Sequence, residues 1–97
     1  MMFLVLAEAR DSIVGEAVLK LRADVAAAIK RVTESGKMKA GGILGGRRMA
    51  FMLLEVETAD EILELLGGEI IDNMRTDVYP IISFEELGAF FAAHPWK

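Results

Sequence analysis

The chain has no cysteine, one histidine and two prolines in its 97 residues. Without cysteine there is no disulfide, no thiolate nucleophile and no cysteine-held zinc or iron–sulfur centre. The lone histidine, His94, excludes a multi-histidine metal site within one chain. Long apolar runs are also missing. The longest, Met1 to Ala7, has seven residues, far short of the ~20 that a membrane-spanning helix requires. No basic segment precedes that run, so no secretory signal is read and the expected compartment is cytoplasmic. Clustered positive charge is lacking as well. The formal charge is −4, and Arg47-Arg48 is a pair of cations rather than a stripe, which argues against nucleic acid as a partner. No Gly-Lys-Ser/Thr phosphate loop occurs. Neither a metal nor a cofactor is called for.

What the chain has in surplus is apolar strand. Residues 1–7 and 49–54 are apolar at every position. Side chains alternate faces along a strand, so both faces of each segment are expected to be buried. The hydrophobic fraction is 54%, above the roughly 45–50% of an average soluble chain. A domain of this length buries only about 60–65% of its unfolded surface. The surplus therefore predicts that the single domain, residues 1–97, pairs with itself as a homodimer or a higher oligomer.

The pattern along the chain predicts seven elements. Residues 2–9 read as a strand, and Asp11 and Ser12 offer helix N-cap oxygens. Val14, Ala17, Val18, Leu21, Val25, Ala28, Ile29 and Val32 recur at steps of three and four, the spacing of one helical stripe. Gly36 is placed to stop that helix. Residues 37–44 and 48–57 read as strands joined by a turn at Gly45-Gly46. Thr58 and Glu61 have capping-box spacing ahead of a short helix with Ile62, Leu65 and Leu66 on its apolar side. Gly67-Gly68 ends it, and residues 69–74 read as a turn or a helical continuation. Residues 76–82 read as the fourth strand, on a sheet edge or interrupted, because Pro80 cannot donate to a ladder. Ser83 and Glu86 start a last helix carrying Leu87, Phe90 and Phe91, and Pro95 stops it. The expected class is α+β, a ferredoxin-like β-α-β-β-α-β order with an extra C-terminal helix.

Strand parity separates two faces. Phe3, Val5, Ala7 and Ala9 join Met38, Ala40, Gly42 and Leu44, then Ala50, Met52, Leu54 and Val56, then Val78, Pro80 and Ile82. This wholly apolar set is assigned to the helix-covered core. The second set is apolar in mid-strand and polar at the ends. It holds Leu4, Leu6, Glu8 and Arg10; Lys37, Lys39, Gly41 and Ile43; Arg47, Met49, Phe51, Leu53 and Glu55; and Asp77, Tyr79 and Ile81. That mixed face is expected to pack on the same face of a second copy, the two sheets pairing into a barrel-like dimer. A bulge at the glycines or at Pro80 would flip part of the assignment.

Several features together resemble the muconolactone Δ-isomerase family of the dimeric α+β barrel superfamily. They are the start Met2-Phe3-Leu4-Val5, the first helix ending near Gly36-Lys37, and Gly46-Arg47 before the third strand. Glu55-Val56-Glu57-Thr58 then runs into a helix with Glu61, Leu65 and Leu66, and Val78-Tyr79-Pro80 lies in the last strand. The resemblance implies a dimer built by sheet packing. It also implies a cofactor-free proton shift in an unsaturated lactone bearing a carboxylate. Leu6 stands where that family's first strand can carry an acid, and Gly41-Gly42 replaces bulkier sequence. The architecture is carried over, without a catalytic assignment.

Few residues offer chemistry. Glu8 near a strand end is the candidate base, since a carboxylate in an apolar cavity can move protons between carbons; the bland reading is a solvated residue paired with Arg10. Arg47, on the mixed face beside two glycines, is the candidate anchor for a substrate carboxylate; the bland reading for Arg47 and Arg48 is hairpin solubility. Tyr79 is a candidate hydrogen-bond donor to substrate, or interface packing. Glu55 and Asp77 read as rim residues. A histidine such as His94 can serve as acid or base, but tails of this kind, here His94-Pro95-Trp96, are usually loose or packed on a neighbour. Two function classes stay open: an isomerase or proton-transfer enzyme acting on a small anionic organic molecule, and a non-catalytic ligand-binding or oligomerisation module.

Overall fold

The computed structural model describes residues 1–95. The chain runs β1 (Met2–Ala9), α1 (Glu16–Glu34), β2 (Met38–Leu44), β3 (Met49–Glu55), α2 (Ala59–Leu66), α3 (Gly68–Asn73), β4 (Met74–Pro80) and α4 (Phe84–Ala93). The four strands form one antiparallel sheet in the order β2-β3-β1-β4. This is the ferredoxin-like arrangement, with α1, α2 and α3 against one face and two helices, α3 and α4, beyond the basic pattern.

The expected core face is largely observed. Phe3, Val5 and Ala7 of β1 and Met52 and Leu54 of β3 are buried, as is Val56 just beyond it. They pack with Leu21, Ala28, Val32, Ile62, Leu66, Ile70 and Met74. Leu54, Val32 and Ile62 are wholly inaccessible. Pro80 and Ile82, assigned to that core, are exposed instead. The chain leaves the sheet there, and β4 ends at Pro80.

Parity fails in β2 for an identifiable reason. Met38 pairs with Leu54, but Ala40 pairs with Leu53, so one residue is inserted at Lys39. A bulge of this kind reverses the faces of every later residue. Gly41 and Ile43 therefore share the helix side with Met52 and Ala50. Ala40, Gly42 and Leu44 share the open side with Leu53, Phe51 and Met49. A Cβ on Gly42 would lie 3.1 Å from the Phe51 ring, so the glycine lets that ring lie across β2.

The barrel expected from sheet pairing is not what the chain forms. The sheet is open, with β2 and β4 as separate edges. Closing a barrel requires a continuous circle of tilted, paired strands, and among the described residues no strand joins these two edges. The apolar surplus that suggested a second sheet is partly taken up within this one. Leu4, Leu6, Met49, Phe51 and Leu53 shelter one another as cross-strand neighbours and are each half-buried.

Helix boundaries follow local chemistry with two departures. α1 starts after Gly15, whose φ of 64° is left-handed, with no side-chain cap; Asp11 and Ser12 lie upstream of its start. Thr58 is the N-cap of α2 but makes no cap bond. Glu61 Oε1 instead accepts from the N–H of Glu57, one residue before the cap, at 3.3 Å. Ser83 does cap α4, accepting from the Glu86 N–H at 3.0 Å.

Arg31 ties α1 to the end of α2. Its Nε donates to the Leu65 carbonyl at 2.9 Å and its Nη2 to the Leu66 carbonyl at 2.8 Å. These carbonyls belong to the last turn of α2, where intrahelical donors run out. Gly67 follows with φ 84°, and a Cβ there would lie 2.8 Å from Arg31 Nη2. Arg31→Met is expected to lower unfolding free energy by about 1–2 kcal/mol, the range for bonds from a charged donor near the surface. Urea denaturation reads this, and an unchanged midpoint would show that the two carbonyls do not depend on Arg31.

A second tie has a pH signature. Lys37 Nζ bonds Glu61 Oε2 at 2.6 Å. That hydrogen bond, from a cation, holds the Glu61 carboxyl below its usual value of 4.5. A depressed carboxylate stabilises the fold above its unfolded pKa, and the contribution disappears as pH falls through the folded one. Glu61→Gln is therefore expected to have a lower urea midpoint than the parent at pH 6. The two should converge as pH falls through that depressed value. A gap that does not narrow as pH falls would assign the loss to something other than the charge.

Candidate functional site

Glu8 and Arg47 meet on the open side of the sheet. Glu8 is the last even-numbered residue of β1, facing the same way as Leu4 and Leu6. Arg47 follows the β2–β3 turn, where Gly46 has φ 80° and the Arg47 N–H donates to the Leu44 carbonyl at 3.2 Å. The Ala9 N–H donates to the Arg48 carbonyl at 2.9 Å and pins this turn to the end of β1. Arg47 is thereby laid over Glu8. Its Nε and Nη2 both donate to Oε2, at 3.1 and 2.5 Å. The glutamate side chain is 26% exposed and the arginine 60%.

The pair borders a shallow polar cleft of about 400 Å³ lined by Glu8, Ala9, Asp11, Gly46, Arg47 and Arg48. Arg48 is held by a bond from its Nη2 to the Ile13 carbonyl at 3.2 Å. Two carboxylates and two guanidiniums thus converge at one end of the sheet. Glu8 pairs with Arg47, not with Arg10, and faces polar groups where an apolar cavity was expected. Chemically, such a cluster can hold an anion on a guanidinium beside a carboxylate able to accept a proton.

Tyr79 is elsewhere. It is opposite Leu4 in the β1–β4 ladder, whereas Glu8 is opposite Arg75. Four residues along a strand are about 13 Å, so Tyr79 and the Glu8–Arg47 pair do not face one small molecule. Asp77, on the same side, pairs with Arg75 at 3.5 Å. Glu55 holds the N-terminal amine of Met1 at 3.0 Å, a rim position as expected. His94 caps the end of α4. Its Nδ1 is 3.0 Å from the Phe90 carbonyl and its ring is stacked on Phe90 at 4.3 Å. Trp96 lies outside the described residues. Among the described residues no group of three or more His, Asp or Glu is placed to hold a metal ion. No helix there is long and apolar enough to cross a membrane.

Sequence reasoning missed two parts of this region. From sequence Asp11 reads as a cap and Arg48 as a solubilising charge, because the proximity of the loop after β1 to the hairpin is a long-range fact. It also missed an apolar cleft of about 440 Å³ on the helix side, where α1 residues Val18, Val25 and Ile29 face Ile43, Ala50 and Met74, with Arg22 and Arg48 at its border. The bulge at Lys39 turns Ile43 toward it, and the small residues Ala9, Ala26 and Ala50 in its lining leave α1 incompletely matched by the sheet.

No protein-family model matches the chain, and no curated protein matches it. Among solved structures, the chain is similar to a 5-chloro-2-hydroxyhydroquinone dehydrochlorinase from Burkholderia phenoliruptrix AC1100, solved in complex with 2,5-dihydroxybenzoquinone. The TM-score is 0.65 with 17% identity, over 88% of this chain and 97% of that one. At that identity the likeness is one of fold: this chain has the ferredoxin-like fold of an enzyme that handles a small organic molecule.

Proposed function

We propose that the chain is an enzyme of the muconolactone isomerase-like kind, moving a proton within a small anionic organic molecule without a cofactor. The observation that carries the reading is the Glu8–Arg47 contact, which holds a carboxylate and a guanidinium on one face at the border of a polar cleft. The fold likeness adds a substrate class. The similar enzyme is named for a chlorinated hydroxyhydroquinone and was solved with a dihydroxybenzoquinone, both small oxygenated rings.

In the proposed reaction Arg47 turns from Glu8 to the acidic oxygen of the substrate. The Glu8 carboxylate, freed on Oε2, accepts a proton from a carbon next to a carbonyl. The electron pair left on that carbon shifts into the conjugated system, and Glu8 returns the proton to a different carbon. Nothing is oxidised or reduced, and the product is an isomer.

The test is exchange in D₂O. The protein is incubated with unsaturated lactone carboxylates and hydroxyquinones, and proton NMR follows loss of the C–H signal and appearance of isomer. Deuterium entering the carbon framework at a rate proportional to protein concentration supports the reading. A second reading is favoured by the mutual neutralisation of Glu8 and Arg47: the pair only fastens the hairpin to β1, and the chain is a non-catalytic module. Exchange no faster than in buffer across the set would leave that reading standing and remove the first.

A further inference from the structure

The last helix, α4, is unsupported by its own molecule. None of its residues is buried, and Phe84, Phe90 and Phe91 are 94%, 53% and 50% exposed. Phe84, Leu87 and Phe91 are spaced at three and four, so they form one apolar stripe with Phe90 beside it. The molecule measures 57 × 28 × 22 Å, elongated for its size, and among the described residues no other element forms a substantial packing surface with α4. A ten-residue helix is shorter than the ~12–15 residues at which an isolated helix becomes even marginally stable in water. Gly88 in its middle weakens it by roughly a further 1 kcal/mol relative to alanine. A helix like this needs a surface to lie on.

The same chain has an uncovered surface of matching character, the apolar cleft bordered by α1. Ile29 and Ile43 there are 38% and 66% exposed. The charges are complementary. Arg22 and Arg48 border the cleft, and the charged side chains of α4 are Glu85 and Glu86 in its first turn.

Geometry favours a second copy over the chain's own cleft. The arm leaves the sheet at the Phe3 end, where the Ile81 N–H bonds the Met2 carbonyl at 2.9 Å. The cleft is at the other end, beside Ala9 and Met74, about 20 Å away along β1. Residues 81–83 span at most ~10 Å, half of that distance, and among the described residues Glu85 and Glu86 take part in no ion pair within their own molecule. Two copies placed antiparallel about a two-fold axis bring the arm end of each beside the cleft end of the other. Half the lateral surface of a helix about 15 Å long and 10 Å wide, buried twice with its two counterpart clefts, comes to on the order of 1,000 Å², the lower bound for a specific interface.

We propose that α4 is an exchanged arm, seating Phe84, Leu87, Phe90 and Phe91 in the apolar cleft of a second copy of this chain, with Glu85 and Glu86 meeting Arg22 and Arg48 of that copy. The exchange is reciprocal and closes as a two-fold dimer. It uses neither Glu8 nor Arg47, so it stands apart from the proposed reaction.

The absence of native cysteine makes the test clean. Ala26→Cys in the cleft and Gly88→Cys on the arm are combined in the full chain, treated at low micromolar concentration with a short bismaleimide, and analysed on a denaturing gel with peptide mapping. Light scattering on the untreated parent gives its mass. A dimeric parent and a covalent dimer joined between residues 26 and 88 are expected. Phe90→Asp with Phe91→Asp should weaken the dimer at least about a hundredfold, the loss typical of removing buried aromatic anchors. Because Phe90 and Phe91 lie outside the core of the single chain, circular dichroism of that variant should lose no more than the helical signal of α4 itself. Glu85→Lys with Glu86→Lys should weaken it about five- to tenfold, and adding Arg22→Glu should recover part of the loss. A monomeric parent overturns the proposal, as does a 26–88 link found only within single chains. A cross-linked ladder overturns the two-fold closure. A monomer that takes up one dodecanoate per chain assigns the cleft to a small amphipathic anion and also overturns it.

Discussion

Glu8→Gln is expected to lower any proton-exchange rate of this chain by about 10²–10⁴-fold, the range a positioned general base contributes. The amide has nearly the shape of the carboxylate and keeps an oxygen for Arg47, so the hairpin contact survives while the proton acceptor is lost. Arg47→Met acts differently. It frees Glu8 and removes the anchor, so the loss should fall mainly on KM, with a smaller change in kcat. The two variants together separate the readings of the pair. In a purely structural pair neither variant touches exchange. Both then lose at most about 1 kcal/mol of stability, because exposed ion pairs contribute no more than that. Full activity in Glu8→Gln, with exchange established in the parent, would refute Glu8 as the base.

The core was legible because alternation survives wherever a strand is regular. β1 and β3 keep their register over seven pairs, Met2 with Glu55 through Glu8 with Met49, so parity read from Phe3, Val5, Met52 and Leu54 placed them correctly. It failed in β2 because a single inserted residue at Lys39 leaves no mark on composition. It failed at Pro80 and Ile82 because an apolar residue reads the same on a strand as on an arm leaving it. The segment 68–73 is too short to show a period, so its sequence fits a turn as well as the helix observed.

The candidate site was legible by chemistry but not by arrangement. Few residues of the chain could act as base or anion anchor, which brought Glu8 and Arg47 forward. That they touch depends on a turn 39 positions away in the chain, fixed by Gly46 and the bond from Ala9 to Arg48. Tyr79 shared their face by parity, yet parity specifies a side of the sheet and not a position along it. The barrel was inferred from apolar area alone. Area shows that a face is sheltered but does not identify what shelters it, and here cross-strand neighbours such as Phe51 over Gly42 do part of it.

Leu54→Ala should be the most damaging single change in the strands, lowering unfolding free energy by about 2–5 kcal/mol. Leu54 is wholly inaccessible and packs in the cluster that includes Val5, Val32 and Ile62, so truncation leaves a cavity that a rigid sheet cannot close. Domains of this size have roughly 5–15 kcal/mol in total, and each kcal/mol moves Tm by about 4–8 °C. A fall in Tm of at least 8 °C is therefore expected by calorimetry. Leu53→Ala removes the same atoms one residue away, on the open side, where the side chain is half-buried. Less area is returned to water and no enclosed cavity forms, so the loss should be under about 1.5 kcal/mol. The difference between the two positions tests the register itself, since a one-residue slip of β3 would exchange their roles. A larger loss at Leu53 than at Leu54 would contradict the sheet described here.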